Sequence, residues 1–106
     1  MKLKEETASA SSRELKGIAE TMLAEVDSVS NHVAVDRYDP LTSGLIRVFR
    51  NGDRLHIRAP RGVKVSVRLM VRKGQMLWRE NRDDLAAFLS GNPLLLSFLK
   101  SAFPAS

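Results

Sequence analysis

Residues 63–81 read V-K-V-S-V-R-L-M-V-R-K-G-Q-M-L-W-R-E-N. Val63, Val65, Val67, Leu69 and Val71 occupy every second position, with Lys64, Ser66, Arg68 and Arg72 set against them and Met70 the apolar exception. A period of two places alternate side chains on opposite faces of a strand, so this run predicts one long strand over 63–71 with an apolar face and a mostly basic face. A turn containing Gly74 and a second short strand with Leu77 and Trp78 are expected to follow.

Upstream, Asn51 and Gly52 form a hairpin signal, because both residue types tolerate positive φ. Its flanks are strand candidates at 45–50 and 54–59, with Leu55 and Ile57 facing one way and His56 and Arg58 the other. A further short strand is expected over 32–38, before the turn residues Asp39, Pro40, Thr42, Ser43 and Gly44. At the N-terminus, Ser11 and Glu14 have capping-box spacing. Leu15, Ile18, Ala19, Met22, Leu23 and Val26 then recur as one helical stripe. Residues 1–10 are small and polar and read as a disordered tail.

Downstream of Asn81 the period becomes helical, with Leu85, Phe88 and Leu89 on one face. Gly91 ends that helix, and Asn92 followed by Pro93 starts another as an N-cap and first-turn proline. The expected architecture is a single α+β domain over 11–106: an N-terminal helix, a mainly antiparallel sheet of four or five strands, and two C-terminal helices, all helices packed on one face of the sheet. The opposite face is left basic and wet.

The chain has 106 residues, enough for one modest core, and no apolar run near the roughly 20 residues that span a bilayer. The absence of cysteine removes disulfides, thiolate chemistry and cysteine-ligated metals, and is compatible with a reducing cytoplasm. Charge is segregated: residues 1–40 carry a net −3, and residues 41–106 a net +8. The positive field therefore belongs to the sheet, where it suits an anionic partner or discourages edge aggregation. No glycine-rich phosphate loop, metal-ligand spacing or nucleophile constellation is present, so a non-enzymatic protein with no cofactor is expected. His32 and His56 have no ligand spacing.

Arg54, Arg58, Arg68 and Arg72 are the candidate partner-binding residues. They would meet an acidic protein surface and set orientation and on-rate. With Arg47 and Arg50, the same residues could instead contact the phosphates of a nucleic acid. Against that, Phe49, Trp78, Phe88, Phe98 and Phe103 read as core, which leaves Tyr38 as the aromatic in a polar setting. The segment after Pro93 is apolar nearly all round. Leu95, Phe98, Leu99 and Phe103 would then either complete the core or form a homodimer face.

Residues 55–103 resemble the C-terminal domain of flagellar hook-length control proteins and the needle-length regulators of type III secretion. The match runs through L-H-I-R-A-P at 55–60, Gly62, V-S-V-R-L-M-V at 65–71, K-G-Q at 73–75, M-L-W-R-E-N at 76–81 and the leucines from Leu85 to Leu99. Arg61 and Gly62 follow Pro60 where that family has a longer Pro-x-x-Leu-Gly spacing. The resemblance implies a cytoplasmic module that contacts an export-gate component and helps switch substrate class. Residues 44–62 also resemble the hairpin of docking domains in nonribosomal peptide synthetases, which continues there into a helix. Both imply a protein-interaction module with hairpin edges that can pair with a partner segment.

Overall fold

The computed structural model describes residues 11–39 and 44–104; the tail expected over 1–10 and the turn at Pro40–Ser43 lie outside them. Helix α1 spans Ser12–Asp27 and begins as its capping residues require, with the Glu14 amide donating to Ser11 Oγ at 3.1 Å. Its whole stripe from Leu15 to Val26 is buried.

Four strands follow as an antiparallel meander in the order β1 (Val35–Asp39), β2 (Gly44–Asn51), β3 (Arg54–Arg58) and β4 (Lys64–Arg68). Asn51 pairs with Arg54, so the residues at the tip of the hairpin are Gly52 and Asp53 rather than Asn51 and Gly52. Only Gly52 has positive φ there, at 64°, the arrangement of a glycine-first type II′ turn. Ile46, Val48, Leu55 and Ile57 point inward and are fully buried.

The long strand expected over 63–71 is broken. β3 has five residues, and its pairing with β4 ends at Arg54 opposite Arg68. Beyond that point the last contact is the Leu69 amide donating to the Asp53 carbonyl at 2.6 Å. Met70 then turns away from β3: its carbonyl accepts from the Leu77 amide at 3.0 Å, and a side chain reaches both of its backbone groups. Asn81 Oδ1 accepts from the Met70 amide at 2.7 Å, and Asn81 Nδ2 donates to the Met70 carbonyl at 2.9 Å. β5 (Val71–Arg72) and β6 (Gln75–Met76) form a separate ribbon, turned by Lys73 and Gly74 at φ 55° and 80°.

Trp78 opens helix α2 (Trp78–Ser90) instead of lying in a second strand. Asn81, Leu85 and Leu89 are buried at intervals of one helical turn, so the inward stripe begins with a polar residue. Helix α3 spans Pro93–Ala102. Asn92 does not cap it through its side chain; Asn92 Nδ2 donates back to the Phe88 carbonyl at 2.7 Å, satisfying the end of α2. α1 packs on β2, α3 on β1 and β2, and α2 against α1. The fold is α+β, as expected, with its helices stacked over one sheet face.

Leu95, Phe98, Leu99 and Phe103 are all buried inside one chain. They lie in the core of the single chain, and Leu94, at 50% exposure, is the large apolar side chain that α3 presents outward. Where the peptide-synthetase resemblance continues into a helix, β4 stands instead.

Asn81 is the one buried polar residue among those described. Replacing it by Leu leaves the Met70 amide without its partner and the Met70 carbonyl with the Leu77 amide alone, and unfolding free energy from urea titration is expected to fall by about 2 kcal/mol. Arg79→Ala, at an exposed position one turn-half away, serves as the control and is expected to stay within roughly 0.5 kcal/mol of the parent. An Asn81→Leu variant as stable as that control would remove the clamp from the account of the fold.

Candidate functional site

The face of the sheet opposite the helices is uncovered among the described residues. Strand alternation and register decide what it carries. Asp36, Arg47, Arg58 and Lys64 line up across the four strands. Phe49, His56 and Ser66 form the next row, and Asn51, Arg54 and Arg68 the last.

These rows put cations directly opposite cations. Arg47 faces Arg58, Arg58 faces Lys64, and Arg54 faces Arg68. Like charges directly opposite one another in a sheet are destabilising. Part of the repulsion is relieved locally. Arg47 donates to both carboxylate oxygens of Asp36, at 2.8 and 3.0 Å, and this pairing holds the Asp36 carboxyl below its ordinary value against a smaller opposing effect of burial. Arg68 lies 3.4 Å from Asp53. Among the described residues no acid pairs with Arg54, Arg58 or Lys64.

Between the cations sits an aromatic pair. Phe49 is half-buried on this outer face and not in the core: its ring stacks on His56 at 4.8 Å and 24°. The Arg58 guanidinium lies 5.7 Å from the Phe49 ring centre, and Ser66 Oγ is 3.0 Å from His56 Nδ1. The period of two that places Arg47 outward places Phe49 outward as well, so the signal was in the pattern; the residue type argued for the core instead.

Of the four arginines expected to act together, Arg54, Arg58 and Arg68 share this face. Arg72 lies on the β5–β6 ribbon and meets Arg68 only across a shallow groove that Asp53, Met70 and Leu77 also line. Arg50 is withdrawn from any surface role: it points toward α1, its side chain is 13% exposed, and it binds the Gly52 carbonyl at 2.9 Å and Asp27 at 3.4 Å. Arg37 likewise faces inward, paired with Glu25 and set over the Phe103 ring at 5.5 Å. Lys64 joins the face without having been singled out.

Trp78 is not core either. It is 38% exposed at the start of α2, in a shallow apolar depression with Ala24, Arg79 and Arg82. Arg82 is held there by Glu20 at 3.0 Å, which raises its already high pKa further.

In comparisons with known proteins, no family model matches the chain, and neither a curated protein nor a solved structure does. No helix among the described residues is long and apolar enough to cross a membrane.

If the cation pairs are held together against repulsion, Arg54→Thr should raise stability by about 0.5 kcal/mol, since Thr suits a strand and removes the Arg54–Arg68 opposition. Urea unfolding reads the change, and a lower midpoint would contradict it. The chain has a single tryptophan, so native fluorescence reports on Trp78 alone. Acrylamide is expected to quench it readily in the folded protein; emission as protected as that of a buried indole would be at odds with the position described.

Proposed function

We propose that this protein is a non-enzymatic binding module whose open sheet face docks an acidic surface of a protein partner. The observation that carries the reading is the set of cations aligned against one another on an uncovered face. An arrangement that costs stability in the free protein is relieved when carboxylates enter between the guanidinium groups. Such a face steers encounter and fixes orientation more than it adds affinity, and its effect falls with salt. The resemblance of residues 55–103 to the hook- and needle-length control domains supports a more specific assignment. In that assignment the module is a cytoplasmic regulator or adaptor of a type III export apparatus, and an export-gate component is the partner.

A second reading is favoured by the Phe49–His56 pair. Single-stranded nucleic acids bind where bases stack on aromatic side chains beside a basic track. Here His56 and Arg58 already occupy the surroundings of the Phe49 ring, so a base would have to displace them. Charge is therefore the stronger offer of this face.

The test is retention of partners from nuclease-treated host lysate by the wild-type chain and by the R54E/R58E/R68E variant, at low and high salt. A discrete protein held by the wild type at low salt and lost by the variant is the expected result. Fluorescence anisotropy with a labelled oligothymidylate runs in parallel. Tight, salt-sensitive binding there, with no protein retained after nuclease, would overturn the acidic-protein reading in favour of nucleic acid.

A further inference from the structure

Strand β4 is the terminal strand of the sheet, and among the described residues nothing pairs with its outer edge. At the opposite end of the sheet, α3 packs on β1. The direction of the free backbone groups follows from two bonds. The Ala59 amide donates to the Val63 carbonyl at 2.8 Å, and the Leu69 amide to the Asp53 carbonyl at 2.6 Å. Backbone groups alternate along an antiparallel strand, so Val65 and Val67 bond to β3. The N–H and C=O groups of Lys64, Ser66 and Arg68 then point outward.

We propose that this edge takes up an extended segment of the protein partner as a fifth strand, and that the segment alternates acidic and apolar residues. The proposal rests on the acidic-partner reading above and specifies how that partner is held. An added strand would set residues opposite Lys64 and Arg68 on the basic outer face, where carboxylates fit. Residues opposite Val65 and Val67 would fall on the inner side, where those two valines are only half-buried. A five-residue acidic–apolar–small–apolar–acidic segment meets both demands and the backbone groups together. A second copy of the chain does not. Antiparallel pairing of two β4 strands about Ser66 would set Lys64 against the second copy's Arg68, a like-charge opposition at both ends. The same charges that bar self-association at an open edge thus leave it available to an acidic strand.

The probe is the blocked peptide Gly-Ser-Glu-Val-Ser-Val-Glu-Gly-Ser, which, paired antiparallel with its central Ser opposite Ser66, sets a Glu opposite both Lys64 and Arg68. Amide exchange followed by NMR is expected to slow at least about tenfold at Lys64, Ser66 and Arg68 when the peptide is present. Val65 and Val67, already bonded to β3, should not change. Ser66→Pro removes an outward N–H without touching the ladder to β3, and should weaken peptide binding about tenfold. A peptide N-methylated at its central Ser leaves the protein unaltered and should lose binding to the same degree. If proline and N-methylation leave affinity unchanged while R54E/R58E abolishes it, the peptide docks on the face by charge alone. The strand-addition proposal then falls and the acidic-partner reading stands. If the three amides are protected and R54E/R58E binds as the wild type does, strand addition holds and the face reading falls. No binding of the peptide at low salt overturns the strand-addition proposal outright.

Discussion

Everything in this fold depends on covering one side of a small sheet. Ile46, Val48, Leu55 and Ile57 present a continuous apolar surface from the two central strands, and burying it is the main favourable contribution available to a chain of this size. α1 meets that surface with Ile18, Met22, Leu23 and Val26, and α3 adds Leu95, Leu99 and Phe103. α2 then packs against α1. All three helices are used on one side. Among the described residues the other side is consequently open, and its side chains are not part of the core.

The strand that reads longest in the sequence is shortened by its neighbour. Alternation alone would let residues 63–71 continue as one strand, but a strand persists only while another backbone takes its hydrogen bonds. β3 begins at Arg54, immediately after the turn, so among the described residues β4 has no strand partner beyond Arg68 apart from the Asp53 carbonyl. The Asn81 carboxamide takes over at Met70, imitating one residue of a neighbouring strand from the first turn of a helix. That substitution joins the sheet to the ribbon and places the start of α2, whose Leu85 and Leu89 then fall against α1.

Charge on the open face works against the fold. Arg47 and Arg68 are offset by Asp36 and Asp53, while Arg54, Arg58 and Lys64 have no acid beside them among the described residues. A surface selected only for stability would alternate its signs across the strands. Here one sign is concentrated instead, on the face and along the β4 edge that is free among the described residues.

Local chemistry by itself determined the helix from Ser12, the inward set of Leu55 and Ile57, the α+β order and the basic character of the sheet. Each follows from capping, period and composition over a few neighbouring residues. Only the tertiary structure decided where β4 stops, because strand length is a property of a pair. It alone turned Arg50 inward to Asp27 while leaving Arg54 and Arg58 outside, since a guanidinium's role depends on which carboxylate the fold brings near. The same holds for Phe49 and Trp78, which hydrophobicity assigned to the core and packing left at the surface. For the α3 leucines and phenylalanines an all-apolar helix left core and second chain both open; packing on the sheet and α2 of the same chain buries Leu95, Leu96, Phe98, Leu99 and Phe103 and leaves Leu94 outside.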